Sequence, residues 1–281
     1  MDAAGVVLAG GRSSRMGTPK AALEWHGSTL LHRTAALLQR SVSGPVVVVA
    51  APGQELPALP DGVQVTYDPV EGRGPMQGIA VGLAAVEGAA EAAFVTSTDL
   101  PFLHPAYIHA VLAAFRAEPT DVALPVARGY RQPTAAVYRT GLAALIATLL
   151  GAGEDRPGQV YRHCAVRVIE EAELLAHGDV ARLDPALDSV TNINEPEDYA
   201  AARARPAPEI LVECFGALVG ADRPRKQTVA AATLGAAADA IGLSLDAHVV
   251  AALNGDRISR APGLPLVAGD TVAFLSADAG G

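Results

Sequence analysis

The stretch from Leu8 to Lys20, LAGGRSSRMGTPK, holds the residues best suited to chemistry. The apolar run Gly5-Val6-Val7 leads straight into it. Gly10 and Gly11 carry no Cβ, so the backbone can turn tightly and bring its N–H groups close to an anion. Arg12, Arg15 and Lys20 add three cations to the same short loop. Such a loop suits a polyphosphate better than a sugar or a peptide. The helix predicted over 29–40 starts too far along to be a phosphate-binding helix end. Spacing excludes two other phosphate loops. A Walker A loop needs Lys-Ser or Lys-Thr directly after its last glycine, whereas Thr18 and Pro19 separate Gly17 from Lys20 here. The dinucleotide fingerprint needs G-x-G-x-x-G, and Gly10-Gly11-Arg12 does not fit.

Further candidates lie at other strand ends. Asp68-Pro69-Val70-Glu71-Gly72-Arg73-Gly74-Pro75 follows a predicted strand, where open α/β sheets place ligands. Its alternative is an exposed turn leading into a helix. Asp99 follows the apolar run Ala92–Val95 and precedes Leu100-Pro101. A carboxylate there can hold Mg²⁺, which takes one or two carboxylates plus phosphate oxygens and water. An N-cap role before the Pro101 turn is the alternative. Asn192 and Asn194 alternate onto one face of an extended segment, so both could reach one ligand. Alternatively Asn194 caps a helix with Pro196 in its first turn. His26, His32, His104, His109 and His163 show no ligand spacing and are assigned to surface or core.

The elements that must position these groups follow from the apolar pattern. Strands are predicted over 6–9, 45–50, 63–67, 92–96, 122–126 and 134–138, alternating with helices over 29–40, 79–86, 107–117 and 141–150. Run 45–50, Pro-Val-Val-Val-Val-Ala, is apolar throughout, as expected when both faces of a parallel sheet are covered. This alternation predicts a three-layer α/β domain with a mainly parallel sheet. Residues 201–208, AARARPAP, read as a linker, giving domains 1–205 and 206–281. The second part reads as a strand over 209–216, a helix over 228–242, and strands over 249–254 and 271–275. Asn254-Gly255-Asp256 and Ala268-Gly269-Asp270 read as turns, and the chain ends in Gly280-Gly281.

Composition bounds the partners. Half of the 281 residues are hydrophobic, enough for a full core, and the net charge of −9 argues against nonspecific nucleic-acid binding. The cations of the first loop are therefore a local device. Cys164 and Cys214 make neither a metal spacing nor a disulfide framework, and both read as small apolar residues in strands. The N-terminus lacks the apolar core of a signal peptide and no run approaches membrane-spanning length. The expectation is a cytoplasmic protein without membrane or nucleic-acid partners.

The first loop resembles the signature of nucleotidyltransferases that move a nucleoside monophosphate from an NTP. Ala9-Gly10-Gly11, Arg15-Met16-Gly17 and Lys20 are similar to the molybdenum cofactor guanylyltransferase branch. Gly74-Pro75-Met76-Gln77-Gly78-Ile79, Arg131-Gln132-Pro133-Thr134 and Thr191-Asn192-Ile193-Asn194 match that family in order, over residues 3–204. The resemblance implies a Rossmann-like nucleotidyltransferase domain that transfers GMP from GTP to molybdopterin or molybdenum cofactor and releases pyrophosphate. It implies nucleotide contacts from Leu8, Ala9, Gly10, Gly11, Lys20, Asp68 and Asp99. Lys20 and Arg15 would be catalytic and Asp99 the Mg²⁺ ligand. Gln132, Asn192 and Asn194 would face the acceptor. Whether Asp68 meets the base, the acceptor or neither stays open. Guanylyltransferases usually carry Asp before the loop lysine, where this chain has Pro19. Pro-Lys occurs in relatives that use other nucleotides, including the cytidylyltransferase acting on molybdopterin. Those carry Ala-Ala-Gly and lack Gly-Pro-x-x-Gly-Ile, so GTP ranks ahead of CTP. Another phosphorylated acceptor is the further alternative.

The second part is similar to ubiquitin-like β-grasp sulfur carriers, among them the small subunit of molybdopterin synthase and the thiamine carrier. Phe215-Gly216, Ala252-Leu253-Asn254-Gly255, Gly269-Asp270-Thr271-Val272 and the Gly-Gly end carry the likeness. It implies a thiocarboxylate on Gly281, an adenylating or sulfurating enzyme that installs it, and the molybdopterin synthase large subunit as partner. The family often ends Pro-Pro-Val-Ser-Gly-Gly, whereas this chain ends Ser276-Ala277-Asp278-Ala279-Gly280-Gly281. The bland alternative is a frayed, glycine-ended terminus. A non-enzymatic carrier whose first domain binds nucleotide only as a regulator is the competing class, and the intact Lys20 and Asp99 argue against it.

Overall fold

The computed structural model describes residues 2–10, 19–70, 72–220 and 223–276. Contacts divide the chain into two compact units, Met1–Leu23 with Thr29–Tyr199, and Glu24–Ser28 with Ala200–Gly281. The division falls inside a helix, Pro196–Arg203, rather than in the run 201–208 read as a linker. The short segment Glu24–Ser28 joins the second unit, which no linear boundary anticipates.

In chain order β1 (Ala3–Leu8) comes first, followed by the two-residue strands β2 (Glu24–Trp25) and β3 (Ser28–Thr29). Then come α1 (Leu30–Gln39), β4 (Val46–Ala50), β5 (Gln64–Tyr67), α2 (Pro75–Val86) and β6 (Ala92–Ser97). They are followed by α3 (Pro105–Ala117), β7 (Val122–Ala127), β8 (Tyr130–Arg131), β9 (Ala135–Arg139) and α4 (Leu142–Gly151). The first unit closes with α5 (Pro157–Val160), β10 (Val166–Ile169), α6 (Glu171–Ala176), α7 (Gly178–Leu183) and the start of α8 (Pro196–Arg203). The main sheet runs β10-β7-β9-β6-β1-β4-β5, with β8 paired to β7. All neighbours on the main path are parallel except those of β9, which is antiparallel to both β6 and β7. This is the Rossmann-like, mainly parallel α/β sheet.

Alternation within the strands builds the three layers. Val7, Val48 and Phe94 face one way and pack with Leu31 and Leu38 of α1 and Tyr107 and Val111 of α3. Val6, Val47 and Val95 face the other way, against Ile79 and Leu83 of α2 and Ile146 of α4. Each strand is thus apolar on both faces because a helix layer covers each. Gly82 lets α2 lie almost on β1: a Cβ there would stand 2.3 Å from Val6 Cγ1. That close approach fixes where the N-terminus of α2 points.

The second unit contains β11 (Glu209–Cys214), β12 (Lys226–Ala230), α9 (Leu234–Ala240), β13 (Val249–Leu253), β14 (Arg257–Ser259) and β15 (Thr271–Ser276). Its sheet runs β12-β11-β15-β13-β14, with β11 and β15 parallel at the centre and the other pairs antiparallel. Ile210, Val212, Val272 and Phe274 face Leu234 and Ala237 of α9 to form its core. The helix expected over 228–242 does not form as one element. Residues 226–230 form β12, and α9 starts only after Thr233, whose side chain accepts from Ala236 N. The alanine-rich run 230–232 obscured the change of period, while Thr228 and Val229 are β-branched and pair with β11. Cys214 is buried in β11 as expected, but Cys164 lies in the bend before β10 and is half-buried. Among the described residues no helix is long and apolar enough to cross a membrane.

Candidate active site

β1, β4 and β6 end side by side, and the site grows from their C-terminal edges. Ala9 N and Gly10 N both donate to Val49 O, at 2.9 and 3.1 Å, so the chain leaves β1 still held to β4. A Cβ on Gly10 would stand 3.0 Å from Ala51 N and 3.4 Å from Asp68 Oδ2, which is why glycine suits that position. Asp68 follows β5, with its N–H donating to Ala50 O at 2.8 Å. Gly74, at φ 79°, then turns the chain into α2, where Pro75 takes the first helical position.

These ends enclose a cavity of about 490 Å³. Leu8, Ala9, Gly10, Lys20, Asp68 and Asp99 all line it, together with Arg73 and Gly74 at the mouth of α2. Gly11, Arg12 and Arg15 lie outside the described residues. Ser97 Oγ donates to Asp99 Oδ1, orienting that carboxylate. Asp68 stands differently. Among the described residues its Oδ1 is buried without a partner, and burial pushes its carboxyl pKa up against the lowering effect of Gln77. A buried oxygen left unsatisfied is costly unless a ligand supplies a donor.

A second cavity, of about 480 Å³, adjoins the first. Gln132, Asn192 and Asn194 line it, with Arg128 and Thr191. The cavities share Asp99 and Thr134 in their walls. The segment 192–194 is tied to β6 by Ile193 N donating to Asp99 O at 2.9 Å. It is tied to the first loop by Lys20 Nζ, which donates to Ile193 O at 2.7 Å and Asn194 Oδ1 at 3.0 Å. Asn194 therefore does not cap α8 with its side chain. Asp198 in the first turn reaches back instead, accepting from Asn194 N and Glu195 N just before the helix, both at 3.0 Å, which is the reverse half of a capping box. Those two N–H groups, helped by Lys20, hold the Asp198 carboxyl below its usual range. Gln132 is partly committed as well: its Nε2 donates to Ala127 O and Tyr130 O, leaving Oε1 for the cavity.

Pro19 caps the 3-10 turn Lys20–Ala22 and needs no N–H there, so a proline is well suited to aim Lys20. Gln54 and Arg128 gave no site signal in the sequence. Gln54 accepts from Ala51 N at 2.9 Å and donates to Ala9 O at 3.1 Å, bracing the cavity wall. Arg128 sits at φ 55° beside Gly129 in the β7–β8 hairpin and reaches Asp188 and Thr191. The Arg-Gly pair between two strands was the available signal for the hairpin.

Among the described residues no cluster of three or more His, Cys, Asp or Glu is placed to hold a metal. One or two carboxylates beside phosphate oxygens are the protein donor set that Mg²⁺ needs, and Asp99, oriented by Ser97, fits it. The arrangement as a whole sets two cations, Lys20 and Arg73, and two carboxylates, Asp68 and Asp99, around one cavity, so a polyanion can be held with a metal ion on a carboxylate and a second polar ligand alongside.

Comparison with known proteins places this geometry. The family model "MobA-like NTP transferase domain" matches residues 5–173. The probable molybdenum cofactor guanylyltransferase of Mycobacterium tuberculosis H37Rv is 47% identical over 159 residues, covering 54% of this chain and 76% of the relative. In fold, the first unit is similar to the crystal structure of molybdopterin-guanine dinucleotide biosynthesis protein A from Archaeoglobus fulgidus. That likeness has a TM-score of 0.55 at 21% identity and covers 71% of this chain and 96% of the other. It is also similar to 2-C-methyl-D-erythritol 4-phosphate cytidylyltransferase from Thermus thermophilus, with a TM-score of 0.53 at 22% identity, over 73% and 98% of the two chains. The strand-end cavity, the lysine reaching the Asn-Ile-Asn segment and the matched span 5–173 lead to one conclusion: this chain belongs to the MobA-like NTP transferase family and is a nucleotidyltransferase.

Proposed function

We propose that the first unit transfers GMP from GTP to molybdopterin or molybdenum cofactor and releases pyrophosphate. The observation that carries this is the meeting of two cavities at Asp99, one built from the first loop and α2, the other from Gln132, Asn192 and Asn194. The name borne by the 47% identical relative supports the choice of guanine nucleotide and acceptor. The nucleotide would lie across Leu8, Ala9 and Gly10, with its base toward Asp68 and its phosphates toward Lys20 and Asp99. Guanine N1–H and N2–H₂ are donors, and the unpartnered Asp68 Oδ1 is an acceptor. Mg²⁺ on Asp99 would supply charge neutralisation for the triphosphate.

The chain's own groups then act by position and charge. Lys20 neutralises charge that moves onto the leaving pyrophosphate. Asn194 and Ile193 O hold its ammonium in place. Asn192 and Gln132 orient the acceptor. An acceptor phosphate is already anionic, so no strong base is required, and bringing two anions together is the main task. The test is pyrophosphate release with Mg²⁺ and molybdenum cofactor, offering GTP, CTP and ATP in parallel. Release with GTP alone supports the reading. Release with CTP alone moves the protein to the cytidylyl branch. A requirement for another phosphorylated acceptor changes the substrate but not the class.

For the second unit we infer a ubiquitin-like β-grasp sulfur carrier. The order β12-β11-β15-β13-β14, with a parallel central pair and one helix across the sheet, supports that fold. Gly281 would carry the sulfur as a thiocarboxylate, served by an adenylating or sulfurating enzyme and used by the molybdopterin synthase large subunit. Residues 277–281 lie outside the described residues. A mass gain of one oxygen-to-sulfur exchange at Gly281 in protein from cells supports this reading. Continued sulfur supply by a variant extended beyond Gly281 overturns it.

A further inference from the structure

The two cavities have Asp99 and Thr134 in common, and the proposed function leaves Thr134 without a task. Thr134 stands between Pro133 and β9, on backbone that is fixed from several sides. Pro133 O accepts from Tyr138 Oη at 2.8 Å. Tyr138 is 2% exposed, and its hydroxyl also meets Tyr161 Oη at 3.1 Å. Gln132 N donates to Pro125 O at 2.9 Å, and Ala135 N donates to Gln132 O at 3.1 Å. Yet among the described residues the Thr134 hydroxyl has no hydrogen-bond partner, although its residue is only half-exposed. A hydroxyl is one donor and two acceptor sites. Here it is held in position and unspent, on the wall where a ligand in one cavity meets a ligand in the other.

We propose that Thr134 is a catalytic residue whose Oγ1–H donates to a non-bridging oxygen of the phosphoryl group in transfer. The inference rests on the nucleotidyltransferase reading and adds a group to it. An acceptor phosphate oxygen forms a bond to the α-phosphorus. The bond from that phosphorus to the bridging oxygen breaks, and its electron pair leaves with pyrophosphate. Thr134 keeps its proton throughout. Its hydrogen bond is aimed at the place an equatorial oxygen takes when the phosphorus flattens for in-line transfer, so it favours the transition state over the bound substrate.

The experiment compares the full chain with Thr134→Val and Thr134→Ser in pyrophosphate release with GTP, Mg²⁺ and molybdenum cofactor. Valine keeps the shape and removes the donor; serine restores it. Thr134→Val is expected to lower kcat on the order of a hundredfold, the loss typical of one preorganised donor, with KM for GTP and the unfolding midpoint unchanged. Thr134→Ser is expected to recover most of the rate. The decisive readout uses the two α-thio diastereomers of GTP, in which sulfur, a weak acceptor, replaces one non-bridging oxygen or the other. The unaltered protein should be slowed more by the isomer that turns sulfur toward Thr134, and Thr134→Val should erase that difference. A purely structural role would not move the ratio. A Thr134→Val protein with unchanged kcat and an unchanged diastereomer ratio overturns the inference alone. Absence of pyrophosphate release by the unaltered protein overturns the transferase reading and this inference with it.

Discussion

Lys20→Ala separates the rate contribution of one ammonium from its structural contribution. In the folded chain Nζ reaches Ile193 O at 2.7 Å and Asn194 Oδ1 at 3.0 Å. The second of these bonds is exposed and the first part-buried, so their loss should cost only about 1 kcal/mol of stability. Removing a preorganised charge from a site that faces a triphosphate is a larger effect, about two to three decades in kcat or ~2.7–4 kcal/mol. The two costs are therefore of different size and appear in different assays. Pyrophosphate release at saturating GTP gives kcat, its concentration dependence gives KM, and urea unfolding gives stability. Asn194→Ala should lower kcat less, since Ile193 O still holds the ammonium. Because Nζ and Oδ1 touch, the double variant should be less damaged than the two single costs summed, by at least ~0.5 kcal/mol. An unchanged turnover in Lys20→Ala removes the lysine from the mechanism. Strict additivity with Asn194→Ala refutes the claim that the asparagine acts through it.

Other outcomes follow from the same structure. Gly82→Ala places a Cβ 2.3 Å from Val6 Cγ1 and 3.1 Å from Val49 Cγ2, so α2 must back away from the sheet. A loss of about 1–3 kcal/mol in urea unfolding is expected, against a smaller loss for Gly78→Ala, which meets only the far end of the Leu8 side chain at 3.0 Å. Asp68→Asn should raise the thermal midpoint of the ligand-free protein at neutral pH while raising KM for GTP. Burial lifts the folded carboxyl pKa, so the ionised aspartate costs stability as pH rises through that value. A lower midpoint would show that the orphan oxygen is not a burden. His109 lies on an exposed part of α3, where partial desolvation of its ring depresses its pKa, with Arg40, His177 and Arg116 adding to the effect and a backbone hydrogen bond at Ser41 opposing it. The unfolded histidine therefore takes up its proton first, and stability should fall as pH drops below about 6.5 toward the lower folded value. His109→Gln should flatten that part of the stability–pH curve, and an unaltered curve would assign the dependence elsewhere.

The sequence by itself determined the elements and the chemistry that each could carry. Apolar runs such as Val46–Ala50 declare strands covered on both faces, because burial on two sides removes the usual alternation. Glycines and charged groups placed at strand ends mark where a ligand can enter, since side chains there need no burial. Local pattern also failed where local signals conflict: the alanines of 230–232 hid the passage from β12 to α9. What only the tertiary structure decided is who meets whom. Lys20 and Asn194 are 174 residues apart, and no periodicity relates them. The fate of Asn194 turned on that contact, because an asparagine before a proline-started helix reads equally well as a cap until its Oδ1 is seen to accept from Lys20 Nζ. The sequence puts Thr134 in the Arg-Gln-Pro-Thr segment that resembles the family, but nothing local gives its hydroxyl a task. Its place on the wall common to two cavities exists only because β9 runs antiparallel between β6 and β7, which brings the start of β9 beside the end of β6 and the carboxylate of Asp99. Secondary structure is written in short-range sterics and burial, whereas a site is assembled by the order of strands in a sheet, a long-range property.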